Sequence, residues 1–310
     1  MTVTKSDPST VSKFDKKQLV RRVFSGFALG FVAIASDFYN PAFVLFCLVV
    51  ATLGYFELFR MVNDKKQVKR LTFFSIVLLL VSVFITHNLS MMLGLLTVLL
   101  LGTTFFLLLL GFKGKKQSLI LTASVFYIAV PINLLVWLRQ DNELGLYMIL
   151  YIFFTTWFSD SFAYFVGKAF GKRKLSPTLS PSKTWEGLFG SCLGSVVGGL
   201  LVLAFLNFMR PDWQNLAIAY YGLFDYHWGI FVIVSFVLGI VGQIGDLLES
   251  GVKRYYNVKD SGSIIPGHGG VLDRIDALLL VAVCVAIIQS FSIIFLGVPI
   301  DLQLSPELAQ

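Results

Sequence analysis

The chain has 310 residues, of which 56% are hydrophobic and only 14% are charged. Soluble domains average roughly 45–50% apolar and about 25% charged residues, so this composition excludes an ordinary soluble protein and indicates a membrane protein. The formal net charge is +7, but the basic residues form short clusters between long apolar runs. Membrane proteins fix their orientation with such clusters, and the pattern argues against a nucleic-acid-binding protein.

Nine apolar runs follow one another along the chain, most of them close to the length of about 20 residues that crosses a bilayer as a helix. The backbone must satisfy its own hydrogen bonds in lipid, and the runs are too long for barrel strands. We therefore expect an all-α polytopic membrane protein. The predicted spans are 21–36, 41–59, 71–87, 91–112, 118–138, 144–167, 186–208, 228–248 and 277–297.

The distribution of positive charge predicts the orientation of these spans. With the N-terminus in the cytoplasm, the cytoplasmic segments hold 23 of the 25 Lys and Arg residues, and the other side receives only Arg139 and Arg210. Removing one span from the count would invert every later loop and destroy this asymmetry. We therefore expect nine spans and a cytoplasmic N-terminus. The short loops fit a bacterial-type inner (plasma) membrane, with an organelle membrane as the alternative.

The polar residues divide the chain into two regions. Residues 1–140 form a string of spans without a catalytic motif, whereas residues 141–310 contain the two longest cytoplasmic connections, 168–185 and 249–276. The three cysteines lie far apart within apolar runs and indicate neither a disulfide framework nor a zinc site. Glycines recur at spacings of three and four on two spans, which suits close helix packing better than phosphate binding. These glycines are Gly187, Gly190, Gly194, Gly198, Gly239, Gly242 and Gly245.

Three acidic residues lie at the ends of predicted spans, where a carboxylate is costly and usually functional. Asp160 is late in the sixth span, and Asp246 and Glu249 are one helical turn apart at the end of the eighth. In the predicted orientation, all three lie near the cytoplasmic face. The competing interpretation is a packed structural acid or an interfacial charge, and it is weakest for Asp246.

The segment from Ser250 to Asp276 combines basic residues, glycines and carboxylates at the membrane interface. Glycines let backbone amides approach anionic oxygens, and Lys and Arg supply positive charge. Asp273 and Asp276 are three residues apart on the incoming ninth span, so we expect them to share a face. Carboxylate oxygens beside phosphate suit Mg²⁺. A zinc site is not indicated, because His268 has no second His or Cys nearby.

The same segment resembles the signature of the phosphatidate cytidylyltransferase (CDP-diacylglycerol synthase) family. It matches the pattern S-x-hydrophobic-K-R-x4-K-D-x-G-x2-I-P-x-H-G-G-hydrophobic-x-D-R-hydrophobic-D without a gap. A second block is similar to the same family, with Asp160 to Gly167, Phe170 to Lys172, and Ser180 to Gly187. The resemblance covers the C-terminal half of the chain.

The resemblance implies that the protein transfers a cytidylyl group from CTP to phosphatidic acid, forming CDP-diacylglycerol and pyrophosphate with Mg²⁺. It assigns the metal to Asp246 and Asp273, and it leaves open whether Asp276 contributes or pairs with a basic residue. The further catalytic candidates are Lys253, Arg254, Lys259, His268, Arg274 and Asp276. The candidates for substrate binding are Asp160, Ser180, Lys183, Thr184, Glu186, Gly269 and Gly270.

Two other functions compete with this interpretation. A CTP-dependent transferase acting on another lipid phosphate would share the carboxylates and the basic segment, and only the lipid turned over separates the two. A cation-coupled transporter using Asp160 and Asp246 would place its site near the midplane, between related halves with broken helices. The acids here cluster at one face instead. The sequence leaves four questions open: whether a second, monovalent cation binds, whether the protein is a homodimer, which acyl chains it prefers, and how it chooses CTP over dCTP.

Overall fold

The computed structural model describes residues 30–61, 65–110, 115–140, 144–209, 228–265 and 269–296. In this part of the chain, nine helices follow one another, and a two-stranded antiparallel hairpin separates the sixth from the seventh. The elements are α1 (30–37), α2 (Asn40–Arg60), α3 (Lys65–Asn88), α4 (Met91–Leu110), α5 (Lys115–Arg139), α6 (Leu144–Phe170), β1 (Lys174–Ser176), β2 (Ser180–Thr184), α7 (Trp185–Met209), α8 (Trp228–Tyr255) and α9 (Leu272–Leu296).

Seven of these helices are long and apolar enough to cross a membrane, namely α2, α3 and α5 to α9. The apolar part of α4 is shorter, Met91–Phe106 within the described residues. The prediction of an all-α polytopic membrane protein is confirmed. The first predicted span, 21–36, lies mostly outside the described residues, so the total of nine spans and the cytoplasmic N-terminus stay predictions.

Three helices extend clearly further than the hydropathy predicts, one of them α3, which begins at Lys65 rather than near residue 71. Helix α8 continues to Tyr255 rather than ending near residue 248, and α9 begins at Leu272 rather than near residue 277. Lys253 and Arg254, which the sequence placed in a connecting loop, therefore lie on a helix. Polar side chains spaced one turn apart support this extension, because Lys253 pairs with Glu249 at i,i+4.

The end of α8 has a defined cap. Asn257 adopts a left-handed backbone conformation with φ 56°, which Asn tolerates better than most residues. The backbone N–H of Val258 donates to the Lys253 carbonyl at 3.0 Å, and that of Asn257 donates to the Arg254 carbonyl at 3.1 Å. These two bonds form a Schellman motif, which stops the helix and turns the chain towards α9.

The connection after α6 is a hairpin, which the prediction of an all-α protein did not include. Lys174 pairs with Thr184, and Ser176 pairs with Ser180. Hydropathy gave no signal for it, because its strands have three and five residues and are polar. The Thr184 Oγ1 accepts a hydrogen bond from the Gly187 N–H at 3.0 Å and so caps the N-terminus of α7. The hairpin thus leads directly into the next span.

Close packing of α6 against α7 depends on the glycine row of α7. A methyl group on Gly190, Gly194 or Gly198 would lie closer than 3.0 Å to backbone carbonyl oxygens of α6. The oxygens are those of Phe162, Phe158 and Phe154, respectively. The prediction that this row serves close helix packing is therefore confirmed. Because α6 carries Asp160 and α7 follows the hairpin, this contact fixes two parts of the site relative to each other.

The N-terminal helices support the C-terminal ones. The Tyr127 hydroxyl on α5 donates a hydrogen bond to the Asp276 carbonyl at 2.6 Å and lies 3.2 Å from the Gly245 carbonyl. At the other end of α5, the Arg139 Nε lies 2.8 Å from Asp37 Oδ1 of α1, and both side chains are buried. This buried ion pair gives Arg139, an exception to the positive-inside pattern, a structural role.

Candidate active site

A pocket of about 500 Å³ lies where the hairpin meets α6, α8 and α9. It contains residues from both sequence blocks that resemble the family. The lining residues are Asp160, Ala163, Tyr164, Gly167, Lys168, Ser182, Lys183, Thr184, Gly187, Gln243, Asp246, Lys253, Asp260, Asp273, Arg274 and Asp276. Eight of the predicted site residues are among them, so the fold brings together side chains that are more than 100 positions apart in sequence.

Asp246 on α8 is held between the hairpin and its own helix. Its Oδ2 lies 2.7 Å from the Lys183 Nζ of β2, and its Oδ1 accepts a hydrogen bond from the Ser250 hydroxyl at 3.3 Å. The Lys183 Nζ also approaches the Gln243 carbonyl at 3.4 Å. About a third of the Asp246 side chain is exposed (32%), so its carboxylate remains accessible to a ligand in the pocket.

Asp273, at the start of α9, is the centre of a tighter network. Its Oδ1 lies 2.7 Å from the Lys253 Nζ, and its Oδ2 accepts a hydrogen bond from the Gly270 N–H at 2.9 Å. The Ser261 N–H points at both oxygens, at 3.2 and 3.0 Å. Lys253 also pairs with the buried Glu249. Backbone groups from two parts of the connection between α8 and α9, at residues 261 and 270, therefore converge on one carboxylate.

Asp160 and Asp276 bring two further carboxylates to the pocket, from α6 and α9. The negative charge of Asp246 acts on both of them, and Arg274 and Lys183 oppose that charge at Asp160. The Asp276 Oδ1 accepts the Ala277 N–H at 2.8 Å. The pocket thus combines acidic groups that repel one another with several cationic groups, an arrangement suited to a cation and a polyanion bound together.

Among the described residues, no group of three or more His, Cys, Asp or Glu side chains has the arrangement to hold a metal ion unaided. A magnesium ion does not require one, since it usually takes one or two carboxylates and completes its shell with water and substrate oxygens. Asp246 and Asp273 both line the pocket, and each contacts a lysine ammonium group. They are the residues whose number and oxygen chemistry match what a magnesium ion takes from a protein.

Several predicted site residues lie beside the pocket rather than in its lining. Glu186 accepts backbone hydrogen bonds from Lys172 and Arg173, the closest at 3.1 Å, and ties the start of α7 to the hairpin. Arg254 donates to the carbonyls of Leu179 and Val258. These contacts support the walls of the site. Ser180, Lys259, Gly269 and Gly270 are also outside the lining, and His268 lies outside the described residues.

Some residues at the site had not been expected there. Gln243, Lys168 and Asp260 line the pocket, and none of them carries a signal that separates it from an ordinary interfacial polar residue. Glu57 is different, because it is a buried acid within the second predicted span and contacts the signature segment. The cost of an acid inside an apolar run could have identified it.

Comparison with known proteins agrees with this geometry. The Cytidylyltransferase family matches residues 19–292 of the chain. A phosphatidate cytidylyltransferase of Bacillus subtilis (strain 168) is 33% identical over 277 residues, covering 86% of this chain and 94% of that protein. A protein of the same name in Brucella abortus biovar 1 (strain 9-941) is 42% identical, over 56% of this chain and 57% of that protein. Another in Staphylococcus haemolyticus (strain JCSC1435) is 39% identical, over 51% of this chain and 54% of that protein. The chain spans little more than half the length of these last two relatives. By the match over most of its length, the chain belongs to the cytidylyltransferase family.

Proposed function

We propose that the protein transfers a cytidylyl group from CTP to phosphatidic acid, forming CDP-diacylglycerol and releasing pyrophosphate. The observation that carries this proposal is the meeting of Lys183 and Asp246 with Lys253, Asp273 and Arg274 in one pocket. Relatives named phosphatidate cytidylyltransferase support the choice of reaction and of substrates. CTP and phosphatidic acid are both polyanions, and the pocket offers cationic groups on two sides.

The chemistry requires positioning more than activation of a nucleophile. A phosphate oxygen of phosphatidic acid is already ionised at neutral pH, and it attacks the α-phosphorus of CTP in line. A bond forms between the lipid phosphate oxygen and the α-phosphorus, while the bond from the α-phosphorus to the bridging oxygen of the β-phosphate breaks. Pyrophosphate leaves with that electron pair. No general base is needed, so the main task of the protein is to orient and neutralise negative charge.

Three basic residues of the pocket have a place in this scheme. Lys183 on the hairpin and Arg274 on α9 line the pocket and are placed to contact phosphate oxygens. Lys253 is buried between Glu249 and Asp273, so its main effect is to hold the Asp273 carboxylate in one orientation. When bound, Mg²⁺ at Asp246 and Asp273 would supply positive charge for the triphosphate.

The proposed location of the protein and of its pocket rests on the predicted orientation of the spans. We place the protein in the cell inner membrane as a multi-pass protein, with the pocket at the cytoplasmic face. The hairpin and the segment after α8 belong to the connections that carry Lys and Arg, which the positive-inside rule assigns to the cytoplasm. CTP would then arrive from the cytosol, and the lipid phosphate would lie at headgroup level in the bilayer.

The choice of lipid is tested with a substrate panel. The protein purified in detergent is incubated with CTP and Mg²⁺, together with phosphatidic acid, a polyprenyl phosphate or no lipid, and the nucleotide-linked lipid is identified by mass spectrometry. We expect CDP-diacylglycerol and an equal amount of pyrophosphate from phosphatidic acid. If a product forms only with the polyprenyl phosphate, that lipid replaces phosphatidic acid as the proposed substrate. The absence of any CDP-lipid would contradict the proposal.

Substitution of Lys183 by Met tests the role of the hairpin. This change leaves the Asp246 carboxylate without its ammonium partner and removes a contact for the triphosphate. Because a hydrogen bond to a charged group contributes about 1.5–3 kcal/mol, we expect kcat/KM for CTP to fall by about tenfold to a hundredfold. Lys172→Met is the matched control, since its side chain is exposed on the same connection and does not line the pocket. Equal kinetics for the two variants would contradict the role given to Lys183.

A further inference from the structure

Glu57 on α2 joins the N-terminal helices to the signature segment. Its side chain is almost completely buried, with 1% of the residue exposed. Its Oε2 accepts a hydrogen bond from the Ser261 hydroxyl at 3.1 Å and another from the Leu272 N–H at 2.9 Å. These partners are more than 200 positions away in sequence. A buried carboxylate is costly, so the position of Glu57 in this fold calls for a physical role.

The first role of Glu57 is to cap α9. Leu272 is the first residue of that helix, and its N–H is one of the groups that have no partner within the helix itself. The preceding residue is Val271, whose side chain has no oxygen to act as an N-cap. Glu57 supplies the missing acceptor from another helix, and its negative charge lies at the positive end of the α9 dipole.

The second role is indirect support of Asp273. The same Ser261 whose hydroxyl donates to Glu57 points its backbone N–H at both oxygens of Asp273. Ser261 is therefore held by Glu57 through its side chain and by Asp273 through its backbone. Asp273 also stands one residue after Leu272, so the cap on α9 and the bond to Ser261 orient this carboxylate from two sides.

The segment is built closely around the Glu57 carboxylate. A methyl group placed on Gly262 would overlap Oε1 of Glu57, and one placed on Gly270 would overlap Oε2 of Glu57 and the Ser261 hydroxyl. The Gly270 N–H in turn donates to the Asp273 Oδ2 at 2.9 Å. Glycine at these two positions thus permits the backbone to approach Glu57 on one side while its amides reach Asp273 on the other.

From these contacts we infer that Glu57 is a positioning residue, which holds Ser261 and the start of α9 so that Asp273 faces the pocket in one orientation. Its effect on catalysis rests on the proposed function, whereas its effect on the segment does not. Glu57 itself is not among the residues that line the pocket. It acts through Ser261 and through the start of α9.

The test compares Glu57→Gln with the wild type by hydrogen–deuterium exchange, without nucleotide or metal. Both bonds are accepted by Oε2, so Gln keeps the size of the side chain and one acceptor oxygen for them. It removes the negative charge that strengthens the two bonds. We expect faster exchange in peptides that cover residues 258–272, with little change in α6 and α7. If the variant exchanges at the same rate as the wild type in this segment, the inference is overturned, whatever reaction the enzyme catalyses.

Kinetics supply a second readout. Loss of a residue that orients a metal-binding carboxylate typically costs about tenfold to a hundredfold in metal affinity or activity. We expect Glu57→Gln to need about tenfold more Mg²⁺ for half-maximal activity, while the KM for phosphatidic acid stays near that of the wild type. An inactive wild type would refute the proposed function alone. An active wild type with an unchanged Mg²⁺ dependence in Glu57→Gln would refute the inference.

Two further variants separate positioning from general loss of stability. Asn133→Ala removes a buried side chain that bonds Thr86 and Ser82 on α3, away from the signature segment. We expect it to lower the melting temperature but to leave exchange in residues 258–272 and the Mg²⁺ dependence unchanged. Ser261→Ala keeps Glu57 and removes only the hydroxyl, so it should reproduce part of the Glu57→Gln effect. If Glu57→Gln does not fold, unchanged exchange in Ser261→Ala overturns the inference.

Discussion

Replacing Asp246 with Asn should lower the rate of CDP-diacylglycerol formation by about a hundredfold to a thousandfold, the usual effect of removing one group that stabilises transition-state charge. The substitution keeps the size of the side chain but removes the charge that pairs with Lys183. The rate is measured at saturating CTP with the purified variant. Because the Asp246 side chain is partly exposed in the pocket, the melting temperature of the variant should stay close to that of the wild type.

Asp15→Asn is the matched control for this prediction. It makes the same chemical change at a position before residue 19, where the match to the family begins. We expect its activity to equal that of the wild type. An Asp246→Asn variant that melts normally and keeps more than a tenth of the wild-type rate would contradict the role of Asp246 as a metal ligand.

Replacing Gly194 with Ala should lower the stability of the protein, whereas the catalytic residues themselves are unchanged. The added methyl group would overlap the Phe158 carbonyl of α6 and lie 2.7 Å from the Phe162 Cβ. Overpacking of this kind usually costs about 1–3 kcal/mol, because the two helices must move apart or distort. We expect a clearly lower melting temperature in detergent. Activity should be lost at temperatures where the wild type is still active, since α6 and the hairpin define the pocket.

Gly251→Ala provides the same substitution in open surroundings. Gly251 lies on α8, and a methyl group there would meet no atom within 4 Å. Because Ala favours a helix over Gly by about 1 kcal/mol, this variant should melt at the same temperature as the wild type or slightly higher. Equal melting temperatures for Gly194→Ala and Gly251→Ala would contradict the packing described for α6 and α7.

The sequence predicted those features that depend on local composition or on a long motif. Span positions follow from apolar runs, and the structure has helices at most of the predicted positions, with α5 and α6 within a few residues of the prediction. The glycine row of α7 indicated close packing because its spacing matches one helix face. The resemblance to the family assigned Lys183 and Asp246 to one site, and the two side chains are in contact.

Other features depend on contacts that hydropathy does not contain. The extension of α8 past residue 248 is polar, and the Glu249–Lys253 pair and the Asn257 cap stabilise it. The hairpin has short polar strands and therefore no apolar alternation. The place of Glu57 depends on how α2 packs against α9, and an acid in an apolar run does not reveal its partners by itself.

The fate of the phosphorus atoms of CTP tests the central claim most directly. The purified protein is given phosphatidic acid, Mg²⁺ and CTP labelled with ³²P at either the α- or the γ-phosphate, and the lipid and aqueous phases are counted separately. The proposed reaction moves the α-label into the lipid phase and leaves the γ-label in water as pyrophosphate. A γ-label in the lipid, or no label in the lipid from either substrate, would contradict cytidylyl transfer.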